Sequence, residues 1–206
     1  MNQFARSHRP MDNSLIPNVI FFLLIANGLM FALQFLFWPT PNLLFALWPA
    51  ATDNFYPWQL VTYGFLHSTS NYYHIIFNML ALWMFGRDLE RIMGAKRFAI
   101  YWFACVIGAG FVQMLAAQVT GSGVPTVGAS GGVFGLLLAF ALVFPNRTVV
   151  LLIPPIPMKA KYFVLLYGLL TLYLGASGGS SNVAHFAHLG GMLFGFLLIL
   201  YWKSRR

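Results

Sequence analysis

Four polar side chains stand in stretches of the sequence that are otherwise apolar: His74, Asn78, Ser130 and His188. A serine hydroxyl becomes a nucleophile when a histidine accepts its proton. Histidine and asparagine side chains can donate hydrogen bonds to the oxyanion that forms when a carbonyl is attacked. These residue types predict acyl-transfer chemistry, with Ser130 as nucleophile and His188 as base, provided that the fold brings them together.

The segment around Ser130, GASGGVFG at 128–135, has little side-chain bulk. It places the serine where a loop becomes a helix, so the hydroxyl is accessible and the serine N–H has no intrahelical partner. Small residues recur on this helix and on the helix of His188, which lets two helices approach closely in lipid. They are Gly131, Gly135 and Ala139 on the first helix and Ala184, Gly191 and Gly195 on the second.

Each of these features also has a purely structural interpretation. A Gly-x-Ser-Gly sequence in a membrane helix is often a packing seam. His74 and Asn78 are four residues apart on one helical face and can bond each other or a nearby carbonyl. A single histidine within a membrane helix is often structural. The chemical interpretation depends on all three features occurring together at one depth.

The composition indicates where these residues lie. Of 206 residues, 59% are apolar and 8% charged, against roughly 45–50% and about 25% in soluble domains. With a mean hydropathy of +0.73, the chain is excluded from the soluble class and is expected in a bilayer. Six segments predict spanning helices, the shorter ones with local thinning of the bilayer. They are Leu15 to Trp38, Asn71 to Phe85 with an extension on either side, Phe98 to Val119, Ser130 to Phe144, Tyr162 to Leu174 and Ala184 to Trp202.

The basic residues test this count, because Lys and Arg collect in cytoplasmic loops. All 12 precede the first segment, follow the sixth, or lie between the second and third or the fourth and fifth. Six spans with both termini cytoplasmic satisfy the rule without exception. The net charge of +8 is therefore a sign of topology, and no nucleic-acid partner is expected. The first external loop is long and aromatic and is expected to lie partly in the membrane interface.

Helical rise places the candidate residues at one depth. Counted at 1.5 Å per residue from cationic anchors on their helices, His74, Ser130 and His188 lie about 25, 25 and 22 Å above the cytoplasmic side. No carboxylate lies within a span to orient the histidine, so any hydrolase here must work as a Ser–His dyad. The four acidic residues are Asp12, Asp53, Asp88 and Glu90.

Several motifs combine in this sequence: Gly-Ala-Ser-Gly at 128–131 with Gly135, Ala-His-Leu-Gly-Gly at 187–191 with Gly195, His74-x-x-x-Asn78, and Phe85-Gly86 with Glu90 and Gly94. Together they resemble the rhomboid family of intramembrane serine proteases, over nearly the whole six-span core. The resemblance implies an all-α polytopic membrane protein, a rhomboid-like bundle of six transmembrane helices around a water-filled cavity that opens outward. It also implies that span five or its external cap acts as a gate.

The resemblance implies roles for single residues. Ser130 would be the nucleophile and His188 the general base, and His74, Asn78 and the Ser130 N–H would form the oxyanion site. Gly128, Gly131 and Gly135 would support the helix start, while Gly191 and Gly195 would pack span six against span four.

Three positions depart from the family pattern. Six residues, and not the usual four, separate His67 from His74; Gln59 follows Trp58 where many members have arginine; and Phe134 replaces a common tyrosine. Phe134 keeps a ring that can stack on His188. We expect Phe134, His67 and His185 to lie around the catalytic pair without reacting.

The resulting expectation is a serine endopeptidase that cleaves transmembrane proteins in or near their spans, without metal or cofactor. Residues 15–202 would form the protease domain, between a cytoplasmic tail at 1–14 and a basic cytoplasmic end at 203–206. The protein would lie in a bacterial plasma membrane, with its active site open to the extracytoplasmic side.

Three other functions remain alternatives. One is an inactive rhomboid-like protein that binds membrane clients, although such proteins usually lack the serine or the histidine. Another is a metal or haem site built from His74, His185 and His188, although no His-Glu-x-x-His sequence is present. The third is a transporter that uses the glycine-rich helix start to bind an anion.

Overall fold

The structure is a computed structural model that describes residues 17–150, 155–177 and 185–205. Six longer helices follow one another, with two short helices, a 3-10 turn and a small hairpin between them. In chain order the elements are α1 (Asn18–Leu36), α2 (Thr40–Phe45), α3 (Gln59–Thr62), the 3-10 turn (Tyr63–Phe65), α4 (Tyr72–Met93), α5 (Ala95–Thr120), α6 (Ser130–Val143), β1 (Thr148–Val150), β2 (Pro157–Lys159), α7 (Ala160–Ala176) and α8 (His185–Ser204).

Every predicted span coincides with one of the six longer helices, and the all-α architecture is confirmed. By length and composition, α1, α5 and α8 can each cross a membrane, and α6 and α7 are shorter apolar helices. The apolar core of the second span is predicted to end at Phe85, after which charged residues begin. The helix α4 includes those charged residues and continues to Met93. The predicted starts of the first and last spans, Leu15 and Ala184, lie outside the described residues.

The helix α6 occupies the centre of the bundle. Ten of its 14 residues are buried, and it packs against α4, α5, α7 and α8. A helix that is apolar on all sides is stable only when other helices surround it. The N-terminus of α6, where Ser130 lies, is therefore enclosed by neighbouring helices.

The first long loop is ordered around Gln59, which is fully buried. Its amide donates to the carbonyls of Asn54 (2.9 Å) and Leu44 (3.3 Å) and accepts from the N–H of Trp48 (3.3 Å). Gln59 stands at the position where many members of the resembled family have arginine. Its neutral side chain thus cross-links the loop without a cation. Trp58 stacks on Tyr56 with ring centroids 4.5 Å apart and is half exposed, as a side chain in the membrane interface would be.

The opposite end of the bundle carries the charges and a hairpin that the sequence reasoning did not predict. In the hairpin, β1 pairs antiparallel with β2. Arg147, just before β1, donates to Asp88 of α4 at 2.6 Å. Both oxygens of the Glu90 carboxylate accept backbone N–H groups at the start of α1, from Val19 and Ile20, each at 3.0 Å. These contacts fix α1, α4 and the α6–α7 connection to one another.

Candidate active site

The Ser130 hydroxyl and the His188 imidazole are in hydrogen-bonding contact, with 2.9 Å between Oγ and Nε2. Ser130 is the first residue of α6, and His188 lies in the first turn of α8. The two residues are 58 positions apart in sequence, so only the packing of α6 against α8 brings them together. When Nδ1 of the neutral imidazole carries the proton, Nε2 accepts the hydrogen bond that the serine hydroxyl donates.

Small residues allow this close approach. A Cβ added at Gly191 would overlap the backbone of Gly131, and one added at Gly135 would overlap the side chain of Cys105. Gly191 therefore packs span six against span four, as the resemblance implied. Gly195 differs from that expectation, because a Cβ there would meet Tyr101 and Cys105 of α5. The helix α8 lies in the groove between α5 and α6. Gly191 therefore contacts α6, and Gly195, one helical turn later, contacts α5.

The ring of Phe134 stacks on the ring of His188, with centroids 4.1 Å apart and planes 6° from parallel. Phe134 is four residues after Ser130, on the face of α6 that meets α8. The ring of His185 stands perpendicular to that of His188, at 6.2 Å. Packing of this kind limits rotation of the imidazole and holds its Nε2 towards the serine.

His74 presents one defined nitrogen to the site. Its Nδ1 accepts a hydrogen bond from the backbone N–H of Ser68 at 3.2 Å. In the neutral ring the proton must then reside on Nε2, which becomes a donor. A Cβ placed on Gly128 would lie 2.8 Å from this Nε2 and 3.7 Å from the Ser130 hydroxyl. The Nε2–H of His74 is thus next to Gly128 and close to the serine.

Gly128 also has a conformation that favours glycine, with φ of 131°. Any side chain here would be strained and would fill the space beside His74. The position therefore requires glycine for two independent reasons.

Asn78 is buried, and its side-chain N–H donates to the carbonyl of His74, one turn earlier, at 2.7 Å. A bond of this kind, from Asn78 to a nearby carbonyl, is what the purely structural interpretation of His74 and Asn78 predicts. The amide has a second N–H, which this bond leaves available to donate to another acceptor.

His67 is fully buried, and its ring meets that of His74 edge to face at 5.1 Å. Its backbone N–H donates to the Gln34 side chain, and its carbonyl accepts from the same amide, both at 2.9 Å. Burial, with a smaller contribution from His74, lowers the pKa of His67 to about 3. Sequence reasoning missed the role of Gln34, for which the only signal was a polar residue in an apolar span.

Two carboxylates of α4 lie at the opposite end of the bundle from this group of residues. Asp88 is engaged by arginines and Glu90 by the start of α1. No three His, Cys, Asp or Glu side chains within residues 17–150, 155–177 and 185–205 are grouped as a metal site would need. The arrangement can activate a hydroxyl and offer N–H donors beside it, which is the chemistry of acyl transfer.

Most of the chain matches a known protein family. Residues 54–205 match the Rhomboid domain family. The chain belongs to the rhomboid family. The matched segment begins in the first loop and contains Ser130, His188, His74 and Asn78.

Individual relatives of this rhomboid come from mitochondria and bacteria. Rhomboid protein 1, mitochondrial, of Saccharomyces cerevisiae is 31% identical over 139 residues, which are 65% of this chain and 39% of the yeast protein. The presenilin-associated rhomboid-like protein, mitochondrial, of Rattus norvegicus is 28% identical over 194 residues, 89% of this chain and 49% of the rat protein. Rhomboid protease GluP of Bacillus subtilis is 33% identical over 145 residues, 68% of this chain and 25% of that protease. The chain spans less than half the length of these three relatives.

Proposed function

We propose that this rhomboid is an intramembrane serine endopeptidase that cleaves transmembrane proteins by means of a Ser130–His188 dyad. The observation that carries the proposal is the 2.9 Å contact between the two side chains at the enclosed N-terminus of α6. If Ser130 served only to let two helices pack closely, no imidazole nitrogen would be expected at hydrogen-bonding distance from its hydroxyl. The relative named rhomboid protease GluP supports the same reaction class.

The reaction starts when the Ser130 oxygen attacks the carbonyl carbon of the scissile peptide bond. His188 Nε2 accepts the hydroxyl proton and then delivers it to the leaving amine, whose departure leaves an acyl-enzyme. Water, deprotonated by His188, then attacks the ester, and His188 returns the proton to the Ser130 oxygen as the acid product leaves. Stacking on Phe134 holds the imidazole in the orientation that a carboxylate provides in a triad.

The oxyanion formed during attack needs donors that are already in position. The Ser130 N–H is available because the first residues of a helix have no intrahelical acceptor. His74 Nε2–H is the second donor, with its tautomer set by the bond from Ser68. Asn78 is the third, through the N–H that is not bonded to the His74 carbonyl.

The substrate in this proposal is a transmembrane helix. Such a helix hides its carbonyls in backbone hydrogen bonds, so it must unwind locally to reach the serine. Small or helix-breaking residues near the cleavage site should favour unwinding. The lipid bilayer holds enzyme and substrate in one plane, and no metal or cofactor enters the mechanism.

The decisive experiment measures cleavage of a reporter transmembrane segment in proteoliposomes by the wild-type chain, Ser130→Ala and His188→Ala. Both variants should lose cleavage, and Ser130→Ala should also lose labelling by a fluorophosphonate probe. Ser204→Ala, at the far end of α8, is the matched control and should behave as wild type. Cleavage by Ser130→Ala or by His188→Ala would contradict the dyad. Binding of the reporter without cleavage by the wild type would favour the client-binding alternative.

We also propose that residues 15–202 form the protease domain, between cytoplasmic segments 1–14 and 203–206, in a bacterial plasma membrane. The cations at one end of the bundle support the orientation, with the Ser130 end outward. Bacterial and mitochondrial relatives both exist, so membrane fractionation of the source cell is the test. Recovery of the protein in mitochondrial membranes would contradict the bacterial assignment.

A further inference from the structure

A cleft opens at the cationic end of the bundle, on the opposite side from the candidate active site. Its position on α6 is 12 residues beyond Ser130, which corresponds to about 18 Å along the helix axis. Four helices contribute to its walls. The lining residues used here are Met93 of α4, Arg97 of α5, Leu142 and Val143 of α6, and Trp202 and Lys203 of α8.

The two cations of the cleft have no carboxylate partner among the described residues. Arg97 and Lys203 are exposed and take part in none of the ion pairs in that part of the chain. The nearest acidic groups in sequence are already committed, because Asp88 binds Arg147 and Glu90 binds the start of α1. The chain has 12 cations and four acids, so most of its positive charge must be balanced by anions from outside.

The apolar surface of α8 beside the cleft indicates what kind of anion fits. Phe196, Leu200 and Lys203 follow at i, i+4 and i+7 on α8 and so share one face. Phe196 and Leu200 are 40% and 44% exposed, which in a membrane means contact with lipid chains. Trp202 precedes Lys203 at the end of α8. Tryptophan is enriched at the interface between lipid and water. The cleft itself has a volume of about 50 Å³, which is too small for a whole lipid.

We infer that this cleft binds an anionic phospholipid, with the lipid phosphate between Arg97 and Lys203 and an acyl chain along Phe196 and Leu200. Basic pockets between transmembrane helices on the cytoplasmic side are typical sites for such headgroups. The site joins the ends of α4, α5, α6 and α8, so the bound lipid also links these helices. The inference is independent of proteolysis and holds for an active or an inactive rhomboid.

The test uses the purified full-length chain in detergent and measures lipid binding by native mass spectrometry. Phosphatidylglycerol is titrated against phosphatidylcholine with the same acyl chains. The wild type should bind phosphatidylglycerol more tightly. The double variant Arg97→Gln with Lys203→Gln should lose about 30-fold in affinity, as expected for removal of two cations near an anionic headgroup.

The matched control is Lys159→Gln with Lys161→Gln, which removes the same charge from the end of β2 and the start of α7 and should leave the affinity unchanged. Arg97→Lys with Lys203→Arg keeps both charges and should bind as wild type, which separates loss of charge from misfolding. Millimolar inorganic phosphate should not displace the lipid. Equal losses in the two Gln variants, equal binding of phosphatidylcholine, or displacement by phosphate would each overturn the inference.

Discussion

The direction of the His74 ring decides whether it can serve an oxyanion. Its Nδ1 is occupied by the Ser68 N–H, so Nε2 is the nitrogen that donates into the site. We expect His74→Ala to lower kcat for a reporter transmembrane segment by about 10²- to 10³-fold, the usual cost of losing one oxyanion donor, with little change in KM. Asn78→Ala should cost less, because one of its N–H groups already bonds the His74 carbonyl.

Kinetics in proteoliposomes check this prediction. Ser68→Ala is a suitable control, since it retains the backbone N–H that orients His74. A loss of kcat in His74→Ala of less than threefold, or a larger loss in Asn78→Ala than in His74→Ala, would contradict the assignment of donors.

The buried ring of His67 predicts a pH dependence of stability. Its pKa is lowered to about 3 in the folded chain, whereas an unfolded histidine titrates near 6.5. Between these values the unfolded state binds the extra proton, so stability falls as the pH is lowered, by at most about 1.4 kcal/mol per pH unit. Thermal unfolding in detergent should show a smaller decrease in Tm from pH 7 to pH 5 for His67→Gln than for the wild type. An identical decrease in both would contradict this explanation.

Sequence reasoning singled out the candidate residues because polar side chains are rare and costly within hydrocarbon. Ser130, His188, His74 and Asn78 stood out on that ground alone, and the structure places Ser130 against His188. The functions of Gln34 and Gln59 could not be predicted, because most of their hydrogen-bond partners are backbone groups in the segment that connects α1 to α4. No periodicity or spacing specifies where such a segment passes.

A single carboxylate of α4 caps the start of α1. Glu90 is buried, and each of its oxygens accepts one of the first N–H groups of α1, where the helix dipole favours negative charge. We expect Glu90→Gln to lose at least one of these bonds and to lower the free energy of unfolding by about 2 kcal/mol. Thermal unfolding and limited proteolysis near α1 would measure the change.

Asp53→Asn removes the same charge from an exposed position in the first loop and serves as the matched control. It should leave the Tm close to that of the wild type. Equal Tm values for Glu90→Gln and the wild type would show that the carboxylate does not hold α1 in place.

At the scale of elements, apolar length and turn residues were sufficient to predict six helices. They were insufficient for α2, α3 and the β1–β2 hairpin, which are only three to six residues long. Such short elements have little intrinsic stability and form because tertiary contacts hold them. Gly195 was assigned to the wrong neighbour for a related reason, since a stripe of small residues indicates close packing but not which helix it meets.

The charge distribution of the whole molecule orders the bundle along one axis. Every Lys and Arg within the described residues lies in one of three places: the last two turns of α4 or the first turn of α5, the α6–α7 connection or the first turn of α7, and the end of α8. The Asp88–Arg147 pair and the shared cleft beside Arg97 and Lys203 bring these three places to one end. Ser130 begins the opposite end of α6, so the orientation of the chain determines the side of the membrane towards which Ser130 lies.

The cationic end is expected in the cytoplasm, because Lys and Arg are retained there during insertion. Cysteine labelling tests this expectation in intact spheroplasts with a membrane-impermeant maleimide. Asp53→Cys, in the first loop, should be labelled, and Ser204→Cys, at the end of α8, should be labelled only after lysis. The native Cys105 is fully buried, so the wild-type chain is the unlabelled control. Labelling of Ser204→Cys before lysis, with Asp53→Cys protected, would reverse the orientation and put Ser130 on the cytoplasmic side.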